Sequence, residues 1–431
     1  MVMLSGDRNP GKVLVLTADH EVDRRILQQI SLLESAGWQV NLYSPLGSSV
    51  VWPADGQAVN SRPSPLEAGN NLFKFTYRIF RGILGDRGVA AVIKRCVWRV
   101  LSGSSRFLDR FHSLPLQELK QAPRPQVVIA HDLPMLPMGA RLAEHFSCAL
   151  IYDSHEFFPG QIMPWWESRA WKNLEKKYIG QADAIITVNA SIAEVIGRQY
   201  GVAPVHVVQN VVDAPPGLFS SEKMLRASLG MGQKERIVLY QGGLSAGRNL
   251  RAIVLAMKSV RNESIRLVFL GDGEEFDDLK DLVQAERLDQ RVIFHPRVDQ
   301  GSLPFYTSDA DIGIIPYVAN CLNNRLCTPN KLYEFMAFGI PVLGTDLVEV
   351  RRILDAYECG CVVDMAQPER IGAAMDAIFS EPSVLDAWKV NVRVAGQELS
   401  WQREGVRWLE IFGSAVSDMR MRSSKTARRA S

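Results

Sequence analysis

The residues best suited to chemistry fall in one short run, Thr328-Pro329-Asn330-Lys331-Leu332-Tyr333-Glu334, followed by Gly339 and an apolar stretch from Ile340 to Thr345. Thr and Pro open helices and Gly closes them, so the spacing predicts a helix over 331–338 and a buried strand over 340–345. Backbone N–H groups at such a helix start form a ready anion site. Asn330 and Glu334 stand four residues apart, about one helical turn, and share a side. A carboxylate beside an anion site suits a phosphate that carries a hydroxyl-bearing group, as a nucleotide does. A second run, Gln241-Gly242-Gly243-Leu244-Ser245-Ala246-Gly247-Arg248-Asn249, has glycines that let backbone N–H groups approach a phosphate. Arg248 adds a planar, permanent charge there. The third set is His131 and His155, each at the end of an apolar run and flanked by Asp132, Asp153 and Glu156. Two histidines in adjacent units point to a polar cleft. A helix-cap role for Asp132 or Ser154, with a buried and satisfied histidine, is the alternative.

Strands must end beside these residues. Apolar runs at 12–17, 39–44, 127–130, 149–152, 184–188 and 205–209 alternate with helical periods at 24–36, 134–146, 171–180 and 191–200. The rhythm restarts with runs at 237–240, 266–270, 292–295 and 312–315, and helices at 368–379, 383–399 and 401–412 close the chain. This predicts an α/β protein of two doubly wound parallel sheets, and 431 residues suit two domains. Pro215-Pro216-Gly217 marks a linker between them. The histidines and the glycine turn then lie at the C-terminal ends of strands, where open α/β sheets place their sites.

The segment Thr328–Asp346 resembles the donor-binding signature Pro-x-Lys-x-x-Glu-x-(Met/Ala)-Ala-x-Gly-x-Pro-Val of retaining glycosyltransferase family 4, the group 1 glycosyltransferases. Ala130-His131-Asp132 and Tyr152-Asp153-Ser154-His155-Glu156-Phe157 resemble members of the same family, and Asp23-Arg24-Arg25 does so loosely. The resemblance implies a GT-B architecture, two Rossmann-like domains facing a central cleft with a C-terminal helix crossing back. It places an acceptor-binding domain at 1–210, joined by 400–419, a nucleotide-sugar-binding domain at 211–399, and a basic disordered tail at 420–431. It implies transfer of a sugar from a nucleoside-diphosphate sugar, UDP-sugar favoured, to a lipid-linked glycan or other cell-envelope acceptor, with no metal and no cofactor. His131, Arg248, Lys331 and Glu334 would be catalytic. Gly242, Gly243, Gly271, Asp272, Val298, Asn324, Arg325, Pro329, Asn330 and Leu332 would bind the donor. Arg24, Asp153, His155, Glu156, Trp165 and Trp166 are the acceptor-side candidates. Two positions depart from the family: Gly243 stands where it carries Arg, and Leu326, eight residues before Glu334, where it carries Glu. Arg325 or Lys331 would compensate for the first, and the loop 320–328 for the second.

The remaining features exclude some classes and leave others open. A net charge of +2 predicts no nucleic-acid partner, and no apolar run approaches the ~18 residues that span a bilayer. Six scattered cysteines without a Cys-x-x-Cys pair read as reduced thiols of a cytosolic protein. Residues 72–111 alternate basic and apolar side chains at helical spacing. They read either as an interfacial helix on an anionic membrane, with help from the tail, or as surface helices with basic outer faces. Trp165 and Trp166 suit stacking on a sugar, insertion among lipid headgroups, or packing of the domain. Asp309-Ala310-Asp311 precedes a strand rather than following one, which argues against a metal-binding Asp-x-Asp. An epimerase of the same fold and a silent nucleotide-sugar-binding protein are the competing readings.

Overall fold

The computed structural model describes residues 11–19, 22–44, 97–113, 116–221 and 224–430. Residues 1–208 with 405–431 form an N-terminal domain, and residues 209–404 form a C-terminal domain. Residues 72–96 of the predicted basic stretch 72–111 lie outside the described residues.

The N-terminal domain is built on one parallel sheet of six strands: β1 (Lys12–Leu16), β2 (Gln39–Tyr43), β3 (Val127–His131), β4 (Ala149–Ser154), β5 (Ala184–Thr187) and β6 (Val205–Val207). Their spatial order is β2-β1-β3-β4-β5-β6. The order therefore reverses at β1, with β2 on one side and β3 on the other. Its main helices are α1 (Arg24–Ser35), α2 (Ser105–His112), α3 (Asp132–Phe146), α4 (Trp165–Tyr178) and α5 (Ala190–Tyr200). β3 and β4 are buried along their whole length, which is why both read as unbroken apolar runs.

The C-terminal domain repeats the plan with β7 (Arg236–Gln241), β8 (Ile265–Leu270), β9 (Val292–His295), β10 (Ile312–Ile315), β11 (Val342–Thr345) and β12 (Gly360–Val363). Here the order is β12-β11-β10-β7-β8-β9, and it reverses at β7. The side chains of β7 alternate between two cores. Val238 and Tyr240 join one, and Ile237 and Leu239 the other. The helices that matter for the site are α6 (Met224–Leu229), α7 (Leu250–Ala256), α8 (Leu322–Leu326) and α9 (Asn330–Ala337). The last helix, α10 (Trp401–Ala430), joins the N-terminal domain from residue 405 onward. There Trp408 stacks on Phe412 at 5.4 Å, and Phe412 meets the edge of Trp38 at 5.0 Å.

Three local expectations are corrected, and the Asp309–Asp311 pair is given a structural role. The helix expected over 171–180 begins earlier, at Trp165 directly after Pro164. The loop expected over 320–328 contains α8, because the Cys321 sulfur caps it by accepting from the Asn324 N–H and Leu326 is buried. The basic segment 420–430, expected as a disordered tail, continues α10; it has no Gly or Pro to stop a helix. Asp309 and Asp311 hold Arg226 of α6, at 3.2 Å to Nε and 2.7 Å to Nη2, and Asp311 also accepts the Ile237 N–H. Those two carboxylates join α6 to the sheet.

One buried carboxyl makes the fold sensitive to pH. Glu175 of α4 accepts hydrogen bonds from Tyr152 (2.8 Å) and Tyr200 (2.6 Å) and is 1% exposed. Burial pushes its pKa up to about 7, although both hydroxyls pull it down. The folded state thus keeps a proton that the unfolded chain releases above about 4.5. Stability falls as pH rises from about 4.5 to about 7 and is level above that. Glu175→Gln removes the charge and can still meet both hydroxyls, accepting from one through Oε1 and donating to the oxygen of the other through Nε2. Urea denaturation should find the variant more stable than the parent by ~1–3 kcal/mol at pH 8, with the difference absent at pH 4. A variant that is less stable at pH 8 would contradict this account.

Candidate functional site

Each domain gathers polar residues where its strand order reverses. In the N-terminal domain this is the end of β3, beside β1. His131 is the last residue of β3 and is buried, and His155 follows β4 by one residue. Their rings meet with Nδ1 of His131 3.0 Å from Nε2 of His155. Asp153 of β4 is wholly buried beneath them. Arg25 of α1, also wholly buried, binds it in a fork, Nη2 to Oδ1 at 2.9 Å and Nε to Oδ2 at 3.2 Å. Gln29, one helical turn on, donates to Oδ2 at 2.6 Å. Burial alone would raise the Asp153 pKa, but Arg25 and the histidines outweigh it and hold the carboxyl well below its usual range. His131, Asp153 and His155 bring one ligand atom each within 4.8 Å of one another. Asp153 already spends its oxygens on Arg25 and Gln29, and the permanent charge of Arg25 in the same dry space opposes a second cation. The trio therefore reads as a hydrogen-bonded network.

In the C-terminal domain the site lies after β7, beside β10. The loops after β7 and β8 run backbone to backbone: a Cβ at Gly271, where φ is +151°, would come 2.2 Å from the Gly242 carbonyl oxygen. Arg248, two residues before α7, lies with its guanidinium 4.4 Å over the ring of Tyr317. Lys331 in the first turn of α9 places Nζ 3.8 Å over the ring of Tyr240 and 5.1 Å from that of Tyr317. Two cations thus share one aromatic support. Burial, with help from Arg248, pulls the Lys331 ammonium down to about 7 against the opposing pull of Glu334. Glu334, one turn further along α9, accepts from Gln241 at 2.6 Å, and Thr307 donates to that same amide at 2.7 Å. Asn330 accepts from Asn210 at 3.0 Å.

The two clusters thus collect His131, Asp153 and His155 in one domain and Gly242, Gly271, Arg248, Asn330, Lys331 and Glu334 in the other. Asp272 takes part through its backbone, its carbonyl accepting the Leu244 N–H. Other expected residues are placed differently. Asp153 is out of an acceptor's reach. Leu332 is a core side chain, Pro329 is buried, and Val298 packs against the same core. Arg325 is exposed, while Asn324 donates to Asn320 at 2.8 Å. Trp166 packs on Gly103 and under Arg99, whereas Trp165 is 71% exposed. Glu156 accepts from Gln161. Arg24 is only partly buried, and its neighbour Arg25 is the residue in the network. Tyr240, Tyr317 and Gln241 were missed. The aromatic content of the two strand ends was their only signal.

Comparison with solved structures identifies the architecture. The chain superposes on the sucrose-phosphate synthase of Thermosynechococcus elongatus with a TM-score of 0.71 at 16% identity, over 95% of this chain and 100% of that one. On Anabaena HepE, solved with UDP-glucose, the TM-score is 0.63 at 14% identity, over 94% and 99% of the two chains. The fold is that of a GT-B protein. Residues 21–210 match the model of the glycosyl transferase 4-like domain, and residues 221–394 that of glycosyl transferases group 1. The chain belongs to the group 1 glycosyl transferases. Among its relatives are the putative teichuronic acid biosynthesis glycosyltransferase TuaH of Bacillus subtilis (26% identity, 48% of this chain, 53% of the relative) and the alpha-monoglucosyldiacylglycerol synthase of Streptococcus pneumoniae (24%, 45% and 42%). The chain spans about half the length of the curated relatives it matches.

The glycine turn separates two tests by geometry. Gly271→Ala drives a Cβ into backbone and forces an L residue into a glycine conformation, so it should lose at least ~2 kcal/mol. At Gly243, where the family carries Arg, an added Cβ meets nothing within 4 Å. Gly243→Arg should therefore leave stability within ~0.5 kcal/mol of the parent by chemical denaturation. Equal losses at both positions would show that the loop packing is misread.

Proposed function

We propose that the chain transfers a sugar from a nucleoside-diphosphate sugar, with UDP-sugars favoured, to a lipid-linked glycan or other cell-envelope acceptor, with retention of anomeric configuration. The observation that carries this reading is the pairing of Arg248 and Lys331 over Tyr317 at the β7 reversal. Two cations on one aromatic support suit a diphosphate, and Glu334, a turn beyond Asn330, suits the ribose hydroxyls. The C1–O bond to the diphosphate breaks while Arg248 and Lys331 stabilise the charge that develops on it. The acceptor hydroxyl bonds to C1 from the leaving-group side and gives its proton to a diphosphate oxygen. No step calls for a metal. The UDP-glucose complex of HepE supports the choice of donor, and the names of TuaH and of the glucosyldiacylglycerol synthase support an envelope acceptor. The family match lends nothing to an epimerase or a silent binding protein.

Turnover of a nucleotide-sugar panel, read as UDP or GDP release, tests the assignment. Arg248→Ala and Glu334→Ala should each lower kcat/KM by about tenfold to a hundredfold, since charge-assisted contacts are worth ~1.5–3 kcal/mol. Activity within about threefold of the parent in both would refute the roles. Lys331 gives a signature in pH. A bound diphosphate raises its pKa, so binding takes up a proton. UDP affinity should be highest below about 7 and fall as pH rises above it. Calorimetry in buffers of different ionisation enthalpy measures that uptake, and none at pH 8 would contradict it.

A peripheral place at the cytoplasmic face of an anionic membrane belongs to the same proposal. Val100 is 78% exposed on the helical stretch 97–101 with exposed Arg99, α2 carries exposed Arg106 and Arg110, and no helix among the described residues is long and apolar enough to cross a membrane. Vesicle co-sedimentation should show binding to anionic lipid that high salt releases. Binding indifferent to both lipid charge and salt would overturn it.

A further inference from the structure

The contact between His131 and His155 holds one proton, and its owner decides what the other side of His131 can do. Two assignments are open to a pair of ring nitrogens 3.0 Å apart. Either His131 Nδ1 donates and its Nε2 is a bare acceptor, or His155 Nε2 donates and His131 keeps its own proton on Nε2.

The surroundings of the two rings are unequal. His155 has a carboxylate oxygen near each nitrogen, Asp132 Oδ2 at 3.6 Å from Nδ1 and Asp153 Oδ2 at 4.0 Å from Nε2. Among the described residues, the one carboxylate oxygen within 4 Å of His131 is Asp153 Oδ2, 3.9 Å from Nδ1, on the side the rings share. His131 is also the more deeply buried of the two. Between the two rings, positive charge is therefore favoured on His155. Burial opposes that charge, but Asp132 and Asp153 outweigh it, and the His155 pKa is raised. Burial and the His155 charge hold His131 down at about 3, so it is neutral. Arg25 and Asp23 at the start of α1 are the other charged groups acting on the pair, while Glu156 after β4 and Asp19 after β1 act on Asp132, whose burial raises its pKa to about 7. Asp132 is built to hold the second ring. Its backbone takes φ +60°, unusual for a residue with a side chain, and its Oδ1 accepts the His155 N–H at 2.8 Å. Nε2 of His131 is buried and meets no acceptor among the described residues.

We infer that His155 and Asp132 are positioning residues that hold His131 as its Nε2–H tautomer, so that His131 offers a neutral donor to a hydroxyl oxygen of the transferred sugar. The sugar as partner rests on the proposed transferase function; the tautomer does not.

Long-range proton–nitrogen NMR of the full chain labelled with ¹⁵N-histidine decides the tautomer at pH 7.5, with His131→Gln and His155→Gln assigning the signals. The expected pattern is a neutral His131 protonated on Nε2 and a His155 protonated on both nitrogens. A His131 protonated on Nδ1, a charged His131 or a neutral His155 overturns the inference. His155→Gln, whose amide can donate to Nδ1, should keep the His131 pattern, and His155→Phe should lose it. Should His155→Phe not fold, Asp132→Asn is the second test: the His155 titration midpoint should fall by about one pH unit or more, and an unmoved midpoint counts against the role of Asp132. With UDP-glucose, UDP-galactose, UDP-N-acetylglucosamine and GDP-mannose as probes, kcat for nucleotide release should drop about tenfold or more in His155→Phe and stay within about threefold in His155→Gln. If no probe is turned over while the NMR pattern holds, the transferase reading and the sugar contact fail and the tautomer stands. If turnover occurs without the pattern, the inference fails and the transferase reading stands.

Discussion

In a parallel sheet every strand ends at the same edge, and crossovers cover the faces. Only where the strand order reverses do two neighbouring loops part with no crossover between them. Each domain of this chain has one such point, between β1 and β3 and between β7 and β10. Both clusters of titratable side chains form there. His131 ends β3 and Gln241 ends β7, so the strands themselves deliver the first residue of each cluster. The other members come from neighbouring elements: Arg25 and Gln29 from α1 and Asp153 and His155 from β4 and its end, Arg248 from the loop after β7 and Lys331 and Glu334 from α9.

The two domains handle buried charge in opposite ways. In the N-terminal domain Asp153 is neutralised by Arg25 in a fork with no exposure to water. Desolvation of such a pair cancels much of its Coulomb attraction, so its main effect is to fix geometry beneath the two rings. In the C-terminal domain Arg248 and Lys331 rest on aromatic faces. Cation–π contact is worth ~0.5–2 kcal/mol, far less than the desolvation of an ammonium, so Lys331 stays destabilised and its pKa falls. Glu334 would relieve it more fully, but Gln241 holds one of its oxygens. The charge of these cations is left largely for an anion to satisfy. A matched ion pair in the same place would bind a diphosphate more weakly, because it would have to be broken first.

Much of this was legible in the chain because buried parallel strands read as apolar runs and because glycine, histidine and arginine at strand ends narrow the chemistry. What escaped depends on rotation and on distance in sequence. Arg24 and Arg25 are adjacent on a helix and differ by about 100° around its axis. Asp153, 128 residues away, and the Val208 carbonyl, 183 residues away, select the second. Trp165 and Trp166 part in the same way, one outward and one onto Gly103. The aromatic supports Tyr240 and Tyr317 look like ordinary strand-end residues until the cations lie over them. Helix α8 escaped because its cap is a cysteine sulfur, a weak acceptor outside the usual set of capping residues.

That helix also accounts for the departure at Leu326. The position eight residues before Glu334 closes α8 and is buried, so a carboxylate there would lose its hydration and need donors of its own. An apolar residue suits this backbone, and the polar groups nearby are instead amides, Asn323 and Asn324, the latter tied to Asn320 at 2.8 Å. A carboxylate only accepts hydrogen bonds, whereas an amide both donates and accepts. On the proposed function, a sugar hydroxyl at this point would meet a neutral partner of fixed orientation. Such a contact is weaker than one to a charge, and it depends more on which way the amide is turned. The tie from Asn324 to Asn320 sets that direction, so on the proposed function the register of α8 would bear on which sugar fits.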